Sequence, residues 1–279
     1  MLRLSAHTRV LLFADVFGKP GRRAVAAALP DLLKEWNPDF LFANAENLAG
    51  GRGVNHKTFR EMMSMGFDAM TTGNHVWDNR EVFQILDDDR RLLRPANFPD
   101  PADSPCPGSG HAVFKKNGKS VALVNLIGRV FMDDAECPFA AADWILENTP
   151  AGVPVIVDMH ADATSEKYAM GWYLAGRASA VVGSHSHVQT ADERILPGGT
   201  AYITDVGMSG AFDSVIGLHP GPVIERFRTK RPHGIQVAVD NPGVCCVVID
   251  IGEDGRATAI HRIRKTVIHL DMDKDGGLE

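Results

Sequence analysis

Two histidines one residue apart, His185 and His187, follow the apolar run 178–182 and fall where a buried strand would end. Taken alone, such a pair fits equally well a half-buried pair with satisfied hydrogen bonds. The pattern repeats, however. Residues 10–14 run apolar before Asp15, 40–43 before Asn44, Glu46 and Asn47, 70–73 before Asn74 and His75, and 155–159 before His160. Short apolar runs ending in polar loops mark parallel strands covered by helices, and such sheets bind ligands at the carboxyl ends of their strands. Five strand ends therefore deliver carboxylates, asparagine amides and the imidazoles of His75, His160, His185 and His187 to one place, with no thiolate among them. This nitrogen and oxygen set is a metal-binding inventory. It exceeds the three or four ligands of a single catalytic zinc, so two ions fit better. In two-metal hydrolases the ions sit about 3.5–4 Å apart, sharing a carboxylate and a bridging water or hydroxide that becomes the nucleophile. Glu46 is the candidate bridging carboxylate.

Several longer blocks carry a resemblance. Residues 14–18 (ADVFG), 44–47 (NAEN), 73–78 (GNHVWD), 160–166 (HADATSE) and 183–187 (GSHSH) resemble, in order, the blocks of calcineurin-like metallophosphoesterases. The segments 94–99 (RPANFP), 171–173 (GWY) and 204–208 (TDVGM) are similar to those of the bacterial YmdB-type branch, and the likeness extends over about residues 9 to 268. Two departures stand out: Phe17 occupies the position of a usual histidine ligand, and Glu46 followed by Asn47 replaces a usual aspartate. The amide oxygen of Asn47 can fill the place left by the missing imidazole.

The resemblance implies an α/β fold, a two-sheet sandwich flanked by helices in four α/β/β/α layers. It implies that Asp15, Glu46, Asn47 and His187 hold a first ion, and Glu46, Asn74, His160 and His185 a second. Two divalent ions bring about +4 and the two carboxylates about −2, a local balance that suits a phosphate diester. The implied activity is hydrolysis of cyclic nucleotides, especially 2′,3′-cyclic nucleotides opened at the 2′ oxygen, with RNA ends as a further substrate class and a homo-oligomer as the assembly. Imidazole ligands disfavour magnesium and calcium, the absence of thiolate weakens the case for zinc, and the resemblance points to iron or manganese.

His75 directly follows the proposed ligand Asn74 and is read as the general acid that protonates the leaving alkoxide, a role worth about 10²- to 10⁴-fold. The alternative is a histidine that only orients Asn74 or Asp78. Arg129, at another strand terminus, can clamp a phosphate or pair with a loop carboxylate. The hydroxyls of Thr164 and Ser165 can bind ribose or phosphate, or cap a helix beginning near Glu166. Two other activities fit the same sequence: a nucleotidase-type phosphomonoesterase, and a metal-containing regulatory module that binds RNA or protein. Against the second, the net charge is −6 and no basic stripe with interleaved aromatics is expected.

The elements that must position these groups are legible around them. Residues 22–36 place Val25, Leu29, Leu32, Leu33 and Trp36 at helical spacing; Phe59, Met62 and Met63 repeat the pattern, as do Val82, Ile85 and Leu86. Residues 244–251 and 257–268 read as a hairpin joining a second sheet. The stretch 99–110 reads as a surface loop, and the Gly- and Pro-rich 209–239 as cleft rim. A chain of 279 residues, 44% hydrophobic, suffices for one large core, so residues 1–279 are expected to form a single domain. Four cysteines without CxxC spacing, and no apolar stretch of signal-peptide or membrane-spanning type, lead to the expectation of a cytoplasmic protein without membrane contact.

Overall fold

The computed structural model describes residues 7–234 and 236–267. The first half of the chain alternates strand and helix: β1 (Thr8–Phe13), β2 (Asp15–Val16), α1 (Gly18–Trp36), β3 (Phe40–Asn44), α2 (His56–Ser64), β4 (Ala69–Thr71) and α3 (Glu81–Asp88). The pattern continues with β5 (His111–Lys116), β6 (Lys119–Ile127), α4 (Pro138–Asn148), β7 (Val155–His160), α5 (Thr164–Tyr173) and β8 (Ala180–Ser184). The last part is β9 (Arg194–Leu196), β10 (Thr200–Ile203), β11 (Met208–Ala211), α6 (Pro220–Thr229), β12 (Pro242–Ile251) and β13 (Ala257–Thr266).

Two sheets result. One runs β2-β11-β12-β1-β3-β4, with β13 paired to β12; the other runs β5-β6-β7-β8-β10-β9. The pairs β1/β3 and β3/β4 are parallel in the first sheet, and β6, β7, β8 and β10 are parallel in the second. Side chains alternate across each strand, and the alternation builds the layers. In β1, Val10 and Leu12 face a core shared with Leu123, Ile156 and Val182 of the other sheet. Leu11 and Phe13 face the opposite way, onto Val25, Leu29 and Leu32 of α1. In the second sheet Val124, Val157 and Val181 turn outward to a third cluster that includes Ala142, Ile145, Met170 and Leu174 of α4, α5 and the turn after α5. The order is helix, sheet, sheet, helix, as the resemblance implied.

Several details differ from the sequence expectation. The C-terminal hairpin does not join the second sheet: β12 lies antiparallel to β1 and completes the first. Its end at Ile268 lies outside the described residues. Helix α1 begins at Gly18, so Pro20 and Gly21 lie within its first turn, where proline's missing N–H costs nothing. Leu33 is exposed rather than core. The 209–239 segment contains α6, a helix with no buried residue. It exposes Phe227 among Arg226, Arg228, Lys230 and Arg231, so a short basic run around an aromatic is present despite the acidic total.

Candidate metal centre

Asp15 opens β2, Glu46 and Asn47 follow β3, and Asn74 follows β4, all from the first sheet; His160 ends β7, and His185 and His187 follow β8, from the second. The site therefore straddles the two sheets at their aligned strand ends. Among the described residues, Glu46, His160 and His185 bring ligand atoms within 4.8 Å of one another. The Nε2 atom of His160 is the hub: it lies 2.9 Å from Asn74 Oδ1, 3.1 Å from His185 Nδ1 and 3.2 Å from Glu46 Oε2. A second set forms alongside, with His187 Nε2 3.2 Å from Asn47 Oδ1 and 3.6 Å from Asp15 Oδ2. Asp15 Oδ1 is buried without a hydrogen-bond partner, although a buried carboxylate oxygen ordinarily has one. An unpartnered buried oxygen beside imidazoles and amides fits a cation. Of the seven ligand candidates, Glu46, Asn74, His160 and His185 thus lie in one group and Asp15, Asn47 and His187 in another beside it.

Close approach of the loops depends on Gly73. A Cβ there would stand 2.3 Å from Glu46 Oε2 and 2.3 Å from His160 Nε2, so no larger residue fits without displacing the cluster. His185 and His187 have φ of 93° and 63°, left-handed conformations that non-glycine residues adopt at a cost and that cluster at functional sites. Phe17, where a histidine ligand was missing, packs its ring edge-on to His187 at 5.5 Å. It supports an imidazole instead of supplying one.

The electrostatics suit cation binding. Burial pushes the Asp15 carboxyl up, opposed by the charge of His160. Burial would raise Glu46 as well, but the charge and hydrogen bond of His160, with His75 and His187 adding, bring it to about 2. Burial acts to lower His160, and Glu46 and Asp15 override it, lifting the ring to about 9. Burial and the neighbouring His160 take His185 down to about 3, and burial lowers His187 too. His185 and His187, held neutral, offer lone pairs to a metal at physiological pH, whereas His160 has to release its proton to the ion that binds.

The sequence assigned no supporting role to the polar groups around these donors. Asp158, inside β7, accepts hydrogen bonds from Ser184 Oγ at 2.6 Å, from Asn44 Nδ2 at 3.0 Å and from Thr71 Oγ1. Ser184 Oγ in turn lies 2.9 Å from His160 Nδ1, fixing the ring that presents Nε2. Asp205 pairs with Lys167 at 2.7 Å, both only 1% exposed, and accepts bonds from the backbone N–H and hydroxyl of Ser186. That ion pair pins the residue between the two histidines. Replacing Lys167 with alanine leaves Asp205 buried and unpaired, and is expected to lower stability by about 3–5 kcal/mol in denaturant titration. Unchanged stability would mean that Ser186 and the Gly207 N–H compensate Asp205 without the lysine.

His75 donates its backbone N–H to Glu46 Oε2 at 3.2 Å, and its Nδ1 lies 2.9 Å from Asp78 Oδ2. Arg129 follows β6 with its side chain exposed, and its backbone N–H donates to Glu166 Oε1 at 3.0 Å. Thr164 and Ser165 are exposed in the first turn of α5, and the capping expectation fails because the cap residue is Ala163, which makes no side-chain cap bond. Instead of rimming the site as bare loop, 209–239 contributes the Ile216 carbonyl, 3.0 Å from His187 Nδ1.

The chain matches the family of YmdB-like proteins over residues 11–263. It is 46% identical over 257 residues to the 2′,3′-cyclic-nucleotide 2′-phosphodiesterase of Bacillus subtilis (strain 168), covering 91% of this chain and 96% of that one. A crystal structure of a hypothetical protein from Thermus thermophilus superposes with a TM-score of 0.86 at 40% identity, covering 93% of this chain and 99% of the other. One described as a novel phosphatase from Mycoplasma pneumoniae gives 0.88 at 29% identity, with 94% and 95% coverage. Matched along nearly its whole length and folded to bring nitrogen and oxygen donors of both sheets together, the chain belongs to the YmdB-like family and is an enzyme of the metallophosphoesterase class.

Proposed function

We propose that this enzyme hydrolyses phosphodiesters, specifically 2′,3′-cyclic nucleotides at the 2′ oxygen, using two ions of iron or manganese and His75 as general acid. The observation that carries this reading is the paired donor set, Asp15, Asn47 and His187 beside Asn74, His160 and His185, with Glu46 Oε2 3.2 Å from His160 Nε2 as the carboxylate we assign to both. The name of the Bacillus relative supports the choice of substrate. When bound, such ions supply an acidified water and neutralise charge on the phosphoryl oxygens. The chain's own part is to hold the donors rigid, through Ser184, Asp158 and Asp205, and to deliver a proton. Water adds to phosphorus, the P–O2′ bond breaks, and O2′ takes its proton from His75, leaving a 3′-phosphate. With Nδ1 engaged by Asp78, Nε2 is the nitrogen left to carry that proton. We place the enzyme in the cytoplasm as one domain. The unbridged Cys106, Cys137, Cys245 and Cys246 support that location, and no helix among the described residues is long and apolar enough to cross a membrane.

Product analysis tests the substrate: 2′,3′-cyclic AMP should give 3′-AMP, and rates on bis-p-nitrophenyl phosphate should exceed those on p-nitrophenyl phosphate. A strong monoester preference would favour the nucleotidase reading, and absence of turnover on all of them the regulatory one. His75→Ala separates proton donation from orientation. Loss of about 10²- to 10⁴-fold is expected on 2′,3′-cyclic AMP, whose alkoxide needs a proton, and far less on bis-p-nitrophenyl phosphate, whose phenolate does not. Equal losses on both would leave His75 with a positioning role only.

A further inference from the structure

Beside the donor cluster lies a cavity of about 510 Å³, within the size range of small-molecule sites. Asn74 stands in its wall, so it opens directly off the atoms that would hold the phosphate. Its other walls combine three aromatic rings, Trp77, Phe83 and Phe98, with the prolines around Cys106 and with Ile127. Trp77, two residues beyond His75 in the short turn Val76–Asp78, stacks on Phe83 at 5.2 Å and leans on Phe98 at 5.8 Å. Two exposed carboxylates, Asp133 and Asp134, also line it.

A phosphoryl site needs none of this. A flat π-surface adjoining a phosphate position is the chemistry that holds a nucleobase, since every base stacks on an aromatic face. Carboxylates at the edge are acceptors only, and they select bases that present N–H donors. Guanine offers two adjacent donors, N1–H and the 2-amino group, to one carboxylate. Uracil offers a single N3–H between two carbonyl oxygens, which a carboxylate repels. Nothing in the general phosphodiesterase reading fixes a base preference, because the cluster itself sees only phosphate.

Resting on the phosphodiesterase reading, we propose that this cavity is the base subsite, with Trp77 and Phe98 as its stacking walls and Asp133 and Asp134 as the groups that favour guanine over uracil. The test compares 2′,3′-cyclic GMP, 2′,3′-cyclic UMP and glycerol 1,2-cyclic phosphate, a cyclic diester with no base. Wild type should show a higher kcat/KM on the guanosine than on the uridine substrate. Trp77→Ala and Phe98→Ala should each raise KM for 2′,3′-cyclic GMP roughly 10-fold, within the range of base stacking, with glycerol 1,2-cyclic phosphate turnover and metal content unchanged. Asp133→Asn combined with Asp134→Asn should bring the guanosine to uridine ratio toward one. Equal effects on the base-free diester, or none on any substrate, would overturn the subsite while leaving the phosphodiesterase reading intact. A wild type that turns over neither the cyclic nucleotides nor glycerol 1,2-cyclic phosphate would overturn that reading, and the subsite with it.

Discussion

Glu46→Ala is expected to reduce the metal content by at least one ion per chain and to lower turnover of 2′,3′-cyclic AMP by more than about 100-fold, a larger loss than removal of an outer hydrogen-bond partner of a metal site ordinarily causes. Glu46 is 1% exposed and meets both the His160 ring and the His75 backbone N–H through the same oxygen, Oε2. Its carboxylate stays ionised against the full cost of burial because His160 outweighs that cost. Removing it takes away the group proposed to touch both ions, and leaves His160 without its main counter-charge. Elemental analysis of wild type and variant, run beside the kinetics, decides the matter. A variant that retains the wild-type ion content and turnover would show that Glu46 bridges nothing.

Gly73→Ala is expected to be as damaging to activity, although alanine is the smallest change possible. The added carbon must lie 2.3 Å from two atoms of the cluster, so Glu46, His160 or the whole 73–75 loop has to move. Forcing one carbon into a packed interior typically costs about 1–3 kcal/mol, which a folded chain can withstand. A shift of about 1 Å at a catalytic centre can cost about 100-fold in rate. The expected result is therefore a folded protein, by circular dichroism and a modestly lowered Tm, with at least about 100-fold less diesterase activity. Full activity would mean that the loop has slack which the packing around Glu46 and His160 does not reveal.

The donors were legible in the sequence because each closes an apolar run: a strand's burial is written in Val, Ile, Leu and Phe, and a polar residue at its end has few structural reasons to be there. Asp158 escaped notice because it lies inside such a run and reads as an interruption in β7. Lys167 and Asp205 are separated by 38 residues, and a buried ion pair leaves no trace in local periodicity. Helix α6 was hidden by the glycines and prolines at its start, where Pro220 and Pro222 are tolerated in a first turn and His219 caps the end by accepting from the Gly221 N–H. Thr164 and Ser165 misled in the other direction, since hydroxyls near a helix start suggest a cap that the chain instead places at Ala163. The two layers of the sandwich were visible only through resemblance, because which sheet a strand joins is decided by contacts far apart in the chain.

The order of strands in the first sheet also sets when the site can exist during synthesis. β12 lies between β11 and β1, holding β1 along its whole length from Thr8 against Ile251 to Phe13 against Cys246. Asp15 follows directly on that strand and pairs through β2 to β11, which β12 also holds. Every donor precedes residue 188 and so emerges well before β12, and the sheet that seats Asp15 lacks its middle member until residue 251 has followed. Pairing across such a sequence separation is slow to form. The nascent chain thus carries its complete set of metal-seeking groups before it has the framework to organise them, and the late arrival of β12 decides when they become one centre.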